Sequence, residues 1–105
     1  MDATTGTLPA SGIRVTFMGE LPAITGRHKL QVDLPQSATI GELLSILSDE
    51  FGDQFRCRVF STPTKLHQTM LIFVDGEDIK QRGGLAATLG TGDVEVFMLP
   101  MIEGG

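Results

Sequence analysis

The chain has 105 residues, a length that suits one domain with a single modest hydrophobic core. Eight Lys and Arg against thirteen Asp and Glu give a net charge of −5, the wrong sign for a protein that binds nucleic acid or anionic membranes. Because Cys57 is the only cysteine and residues 1–12 lack a signal-peptide pattern, we expect a cytoplasmic protein without a disulfide.

The N-terminal third of the chain is predicted to contain a leader and two strands. Residues 1–11 show little apolar periodicity, so we expect a disordered leader and a domain that begins at Gly12. Apolar and polar residues alternate over 13–17 and again over 30–34, the pattern of strands that bury one face. The segment 19–26 between them contains Pro22 and is predicted as the loop of a hairpin.

An amphipathic helix is predicted after the hairpin. Its apolar positions recur with helical spacing and are Ile40, Leu43, Leu44, Leu47 and Phe51. Thr39 followed by Glu42 has the spacing of a capping box, in which each side chain accepts a backbone N–H at the start of the helix. Gly52 is predicted to close the helix in the left-handed conformation.

The second half of the chain is predicted to begin irregularly and then form three strands. Residues 53–67 show no clear period and are predicted as an irregular crossing. The apolar run 70–74 indicates a central strand, and the Asp-Gly pair after it indicates a turn into a short strand over 77–79. A single helical turn is expected over 85–89. A last strand is expected over 94–99.

The order of these elements predicts an α+β fold. Strand, strand, helix, strand, short strand and strand is the order of the β-grasp, or ubiquitin-like, fold. We therefore expect a mixed sheet of four to five strands packed on one main helix. The domain should span 12–100 and be followed by a flexible tail over 101–105.

The body of the domain offers little for catalysis or metal binding. His28, His67 and Cys57 lack the paired spacing of a zinc site, and Gly83-Gly84 is not followed by the Lys-Ser/Thr of a phosphate loop. A nucleophile pair of Cys57 and His67 stays open, although a lone cysteine is more often structural. We expect a protein that is not an enzyme and that binds neither a metal nor a cofactor.

The residues that carry chemistry are the last two, Gly104 and Gly105. Neither has a Cβ atom, so this end of the chain is thin enough to thread a narrow channel in another protein. The terminal carboxylate has an ordinary pKa of about 3.5 and is ionised at pH 7, which makes it inert towards nucleophiles. Acyl chemistry on Gly105 therefore requires activation, most simply by ATP to an acyl-adenylate on a partner enzyme.

Several short segments in the second half of the chain resemble one known family. They are Lys65-Leu66-His67, Leu71-Ile72-Phe73-Val74, Glu77-Asp78-Ile79, Gly83-Gly84-Leu85-Ala86, Gly92-Asp93, Leu99-Pro100 and Gly104-Gly105. With these residues the chain resembles the ThiS/MoaD family of ubiquitin-like sulfur carriers over roughly 12–105. Among its branches it is most similar to the CysO-type carriers of cysteine biosynthesis.

The resemblance implies a mechanism and a set of partners. An E1-like adenylyltransferase would adenylate the Gly105 carboxylate, and a sulfur donor would convert it to a thiocarboxylate. A cysteine synthase-like acceptor would take the sulfur, and a JAMM-type metalloprotease would release the product. ATP, pyridoxal phosphate and zinc would then belong to these partners. The residues before Gly104 depart from the family pattern, since Glu103 adds a charge where small or branched residues are usual.

Alternation along the last strand also predicts a docking surface. If Val94, Val96 and Met98 face the helix, then Phe97 and Leu99 face outward, with Phe73 beside them on a neighbouring strand. Together with Met101 and Ile102 of the tail, these residues are predicted to bind the E1-like partner. A MoaD-like small subunit of molybdopterin synthase, with a molybdopterin-synthase-like acceptor, and a ubiquitin-like protein modifier stay open as alternatives.

Overall fold

The computed structural model describes residues 10–35, 37–62, 65–90 and 92–101. In chain order the helices and strands are β1 (Ala10–Phe17), α1 (Leu21–Thr25), β2 (Lys29–Pro35), α2 (Ile40–Phe51), α3 (Asp53–Val59), β3 (Phe60–Thr62), β4 (Lys65–Leu66), β5 (Met70–Val74), β6 (Glu77–Asp78) and β7 (Gly92–Pro100). Two 3-10 turns, Ile79–Gln81 and Gly84–Ala86, lie between β6 and β7.

Five strands form one mixed sheet in the order β2-β1-β7-β5-β6, and β3 pairs with β4 in a separate hairpin. The first strand lies parallel to the last one, while the other pairs of the large sheet are antiparallel. The register places Val15 opposite Val96 and Ile72 opposite Met98. This topology confirms the predicted mixed sheet of the β-grasp fold.

A single hydrophobic core lies between the sheet and α2. The sheet contributes alternate residues from its three inner strands, namely Ile13, Val15, Phe17, Met70, Ile72, Val74, Val94, Val96 and Met98. From α2, four of the five predicted stripe residues are buried, while Phe51 is only partly buried. Burial of one face of the sheet leaves the opposite face available to other molecules.

The predicted capping box of α2 is confirmed. The backbone N–H of Glu42 donates to Thr39 Oγ1 at 3.2 Å, and the backbone N–H of Thr39 donates to Glu42 Oε1 at 2.9 Å. The predicted left-handed conformation of Gly52 is wrong in detail. Its φ of 87° is positive, but its ψ of −165° lies outside the left-handed helical region, because the chain turns directly into α3.

Two short helices replace segments that were predicted to be irregular. The expected loop over 19–26 contains α1, which has Pro22 in its first turn and ends at a left-handed Gly26. The expected irregular crossing contains α3, which buries Phe55 and Val59, one helical turn apart. The ring of Phe55 packs edge-on against Phe17 at 6.1 Å, so tertiary packing stabilises a helix with a weak local signal.

Other predicted boundaries shift by a few residues. The first strand begins at Ala10, inside the segment predicted as leader, and residues 1–9 lie outside the described residues. The short strand after β5 ends at Asp78, because Ile79 begins a 3-10 turn and is buried. Among the described residues, no helix has the length and apolar character needed to cross a membrane.

Candidate functional site

The C-terminal residues follow directly after the last strand, which ends at the edge of the core. Pro100, the last residue of β7, is buried opposite Met70, and the next residue, Met101, is 48% exposed. The backbone N–H of Met101 donates to the carbonyl oxygen of Thr69 at 2.7 Å. We call Thr69, Pro100 and Met101 the tail root. The predicted site residues Ile102, Gly104 and Gly105 lie outside the described residues, as does Glu103.

The loop after β1 packs against the tail root. Gly19 has a φ of +61°, and a Cβ atom built on it would lie 3.1 Å from Pro100 Cγ. Just before it, the backbone N–H of Met18 donates to the carbonyl oxygen of Met98 at 3.0 Å. A glycine is therefore favoured at position 19 both by the backbone angle and by the close approach of the proline ring.

Thr69 is also held by a network of polar side chains. The Arg58 guanidinium lies against Glu20, with Nε 3.1 Å from Oε2 and Nη2 3.3 Å from Oε1, and its Nη1 donates to Thr69 Oγ1 at 3.3 Å. Thr69 Oγ1 also lies 2.8 Å from His67 Nδ1. Since the backbone N–H of Thr69 donates to the same Nδ1 at 3.2 Å, that nitrogen is an acceptor and the ring proton resides on Nε2.

The outer face of the sheet carries four large apolar side chains on two neighbouring strands. Phe73 lies opposite Phe97 and Leu71 lies opposite Leu99, and all four are only partly buried. We call these residues the outer-face quartet. The predicted orientation of Phe73, Phe97 and Leu99 is confirmed, and the structure brings the three together. Leu71 was missed because it lies in a continuous apolar run, where alternation gives no signal.

The quartet is bordered by charged residues and by the tail root. Arg14 and Glu95, opposite one another on β1 and β7, lie on the same face with Nη1 and Oε2 3.9 Å apart. At the other end, Leu71 and Leu99 lie next to the Met70–Pro100 pair. The apolar surface therefore extends towards the point where the chain leaves the sheet.

The described residues contain no group of three or more His, Cys, Asp and Glu side chains arranged to hold a metal ion. Cys57 lies exposed on α3, and His67 is engaged with Thr69.

Together, the fold and the tail root define a ubiquitin-like β-grasp protein. SAMP1 from Haloferax volcanii superposes with a TM-score of 0.74 over 90% of this chain and 99% of that chain, at 22% identity. CysO in the Amycolatopsis orientalis BexX/CysO complex gives a TM-score of 0.72 over 89% of this chain and 99% of that chain, at 24% identity. These likenesses show the fold.

Sequence comparison identifies the family, which the structural likenesses alone do not. The ThiS family model matches residues 15–105, so the chain belongs to the ThiS family. The sulfur carrier protein CysO of Mycobacterium tuberculosis is 38% identical over 68 residues, which cover 64% of this chain and 72% of that protein. Its crystal structure superposes with a TM-score of 0.70 and 27% identity over 86% of this chain and 99% of that chain.

Proposed function

We propose that this chain is a sulfur carrier for biosynthesis, and most specifically for cysteine biosynthesis. The observation that carries the proposal is its 38% identity to the sulfur carrier protein CysO. The chain would act as a protein cosubstrate, since the reacting group is its own Gly105 carboxylate. ATP, pyridoxal phosphate and zinc would be bound by the partner enzymes.

The proposed chemistry begins with activation of the chain end. A Gly105 carboxylate oxygen attacks the α-phosphate of ATP on an E1-like enzyme, which releases pyrophosphate and forms an acyl-adenylate. Sulfide supplied by a sulfur donor then attacks the acyl carbon, expels AMP and leaves a thiocarboxylate on Gly105. The thiocarboxylate sulfur displaces the phosphate of O-phosphoserine held by a cysteine synthase-like enzyme, which forms a thioester between Gly105 and the new cysteine. An acyl shift from this sulfur to the cysteine nitrogen converts the thioester to an amide, and a JAMM-type metalloprotease hydrolyses the amide to release cysteine and the Gly105 carboxylate.

The position of the tail root supports this proposal. Four residues follow Met101 in the sequence, and four extended residues reach about 14 Å at most. An adenylating centre that receives Gly105 must therefore lie within that distance of the Met101–Thr69 hydrogen bond. The partner must consequently contact the body of the domain beside the tail root.

The outer-face quartet is the surface that we propose for this contact, extended by Met101 and Ile102. Its four apolar side chains lie together on one sheet face and remain partly exposed to solvent in the described structure. Burying them against a partner is favourable by about 25 cal/mol per Å² of apolar area. Their location beside the tail root would align the chain end with the partner's channel.

Intact-mass spectrometry of the protein from its own cells tests the proposed function. A mass increase that matches one oxygen-to-sulfur exchange, mapped to Gly105, is expected, and a variant without Gly105 should lack it. A protein found wholly in isopeptide conjugates would instead indicate the ubiquitin-like modifier. Stable copurification with a large molybdopterin synthase subunit would indicate the MoaD-like small subunit.

The docking surface is tested separately with the adenylating enzyme. Phe97→Asp places a charge in the quartet and is expected to lower kcat/KM for adenylation by at least about tenfold. Gln31→Asp is the matched control, because it adds the same side chain to the strand next to β1, opposite Arg14. If both variants fold and are adenylated equally well, the quartet is not the docking surface.

A further inference from the structure

A second surface beside the tail root combines an apolar floor with positive charge. A cavity of about 470 Å³ opens between the β3–β4 hairpin and the two 3-10 turns. Its floor includes Leu66, Ile79 and Leu85, which belong to the core or pack against it. Because Ile79 is a core residue, the cavity opens on the helix side of the sheet, whereas the outer-face quartet lies on the opposite side.

Two lysines at this cavity have no counterion among the described residues. Within the described residues, four arginines pair with a carboxylate, as in Arg58–Glu20 and Arg82–Glu77. In contrast, Lys65 and Lys80 line the cavity, are exposed, and form no ion pair within the described part of the chain. In the described structure, the cavity opening therefore carries two positive charges without an ion-pair partner, in a protein whose net charge is −5.

No acidic side chain is among the described residues that line the cavity. Asp78, the acid nearest to Lys80 in sequence, accepts the backbone N–H of Lys80 at 2.9 Å and forms no ion pair with its ammonium group. His67 also lines the cavity, and because its Nδ1 accepts from Thr69, its remaining ring nitrogen is a donor. Lys65, Lys80 and His67 therefore present donors to an incoming ligand, and an anionic group complements them.

One wall of the cavity permits the approach of a peptide backbone. Gly83 and Gly84 both have positive φ, and a Cβ on Gly84 would meet nothing within 4 Å. Without side chains at these two positions, an extended chain can lie close to the wall. A ligand with a backbone, an apolar side chain and carboxylates fits this surface better than a free anion, which leaves the apolar floor uncovered.

The cavity also adjoins the chain end. His67 and Gln68 line it, and the next residue, Thr69, holds Met101 through its carbonyl oxygen. A partner that receives the four residues after Met101 is therefore brought against the cavity as well as against the quartet.

We propose that this cavity binds an acidic peptide segment of the adenylating partner, an inference that rests on the proposed function. An apolar side chain of the segment fills the floor, and its carboxylates pair with Lys65 and Lys80. The partner thereby holds the domain from both sides of the sheet.

NMR titration of the full-length, isotope-labelled protein tests the binding without any enzyme. The probe is the peptide acetyl-Asp-Leu-Glu-Leu-Asp-amide, compared with its neutral counterpart acetyl-Asn-Leu-Gln-Leu-Asn-amide. The acidic peptide is expected to shift the amide signals of Leu66, Lys80 and Gly84. Raising the salt from about 0.01 M to about 0.15 M shortens the Debye length from about 30 Å to about 8 Å and should weaken binding.

A charge-matched pair of variants makes the test specific. The double variant Lys65→Gln/Lys80→Gln and the control Arg27→Glu each lower the net charge by two. The first should weaken peptide binding about fivefold or more, whereas Arg27→Glu, on the exposed turn after α1, should bind as the unmodified protein does. The proposal would be overturned if the two variants bound the acidic peptide equally well or if the neutral peptide bound as tightly as the acidic one. It would also be overturned if the peptide shifted only the signals of residues on the outer sheet face.

A kinetic measurement links the cavity to the proposed function. With the adenylating enzyme, Lys65→Gln/Lys80→Gln should raise KM for the protein and leave kcat unchanged. An unchanged KM overturns the assignment of the segment to this partner. The peptide titration requires no adenylation. If the peptide does not bind, the proposal for the cavity is refuted and the proposed chemistry at Gly105 is unaffected. If no thiocarboxylate is found on Gly105, the proposed function is refuted and the result of the titration is unaffected.

Discussion

Gly19 offers a direct test of how the tail root is packed. Gly19→Ala adds one methyl group at a backbone φ of +61°, and this group would lie 3.1 Å from Pro100 Cγ. Gly26→Ala is a matched control, because Gly26 has a φ of +80° but an added Cβ would meet nothing within 4 Å. Both variants place an alanine at a positive φ, which destabilises the folded state. Only Gly19→Ala also brings the added methyl group into contact with Pro100.

The expected magnitudes follow from these two geometries. An alanine in the left-handed region costs about 1 kcal/mol relative to glycine, which is the whole effect expected for Gly26→Ala. A carbon–carbon contact of 3.1 Å is shorter than the usual 3.5–4.0 Å, and Pro100 is a buried ring paired with Met70. Overpacking of this kind costs about 1–3 kcal/mol, so Gly19→Ala should lose about 2–4 kcal/mol in total.

Urea unfolding and amide exchange measure the two parts of this prediction. We expect Gly19→Ala to lower the free energy of unfolding by at least about 1 kcal/mol more than Gly26→Ala. The Met101 amide, which donates to Thr69, should exchange faster only in Gly19→Ala, because displacement of Pro100 moves the next residue. Equal destabilisation by both variants, with unchanged exchange at Met101, would refute the packing argument.

Three further experiments test the body of the domain. Thr39→Ala removes the hydroxyl that caps Glu42 and should cost about 1 kcal/mol in urea unfolding, whereas Thr39→Ser should cost less; equal losses would contradict the capping role. Leu44→Ala empties a fully buried position of α2 and should lower the free energy of unfolding by about 2–5 kcal/mol, and a loss below about 1 kcal/mol would argue against a tight core. A double-mutant cycle with Glu20→Gln and Arg58→Met should give a coupling below about 1 kcal/mol, because the Glu20 side chain is 58% exposed; a coupling above about 2 kcal/mol would contradict a solvent-screened pair.

The parts of the fold that sequence reasoning predicted are those with strong local signals. The helix α2 has an apolar stripe, a capping residue and enough length for the helical period to be recognised. Strands β1 and β7 alternate clearly, so the inward orientation of Val96 and the outward orientation of Phe97 followed from the sequence. In each case, the residues that specify the element lie within it or directly beside it.

The helices that were missed depend on contacts from outside. The five residues of α1 are too few to show a helical period, and Pro22 within them is more typical of a turn. In α3, Phe55 and Val59 alone mark the buried side, and the partner ring of Phe17 comes from β1. A helix of one or two turns is marginal by itself, so its prediction requires the tertiary structure.

Some residues of the candidate site were also predicted from the sequence, whereas others were found only in the structure. The sequence alone nominated Gly104 and Gly105, which lie outside the described residues, and alternation along the last strand predicted the outward orientation of Phe97 and Leu99. The network that braces Thr69 was not predictable, because Glu20 lies 38 positions from Arg58, and the residues between them show no pattern that pairs the two. Leu71 joined the quartet only when the register of β5 against β7 was known.

The chain ends in two residues without side chains, whereas the domain before them has a specific surface. This difference affects how a partner enzyme can recognise this chain. Two terminal glycines present no side chains, so an enzyme cannot distinguish them by packing or charge from the same end on another protein. Discrimination therefore has to come from residues within reach of the tail root. Thr69 lies at the centre of those residues: its carbonyl holds Met101, its hydroxyl contacts Arg58 and His67, and it lies two positions before Leu71. Under the proposed function, a partner that contacts the quartet on one side and the cavity on the other would identify this chain before the glycines reach the partner's active centre.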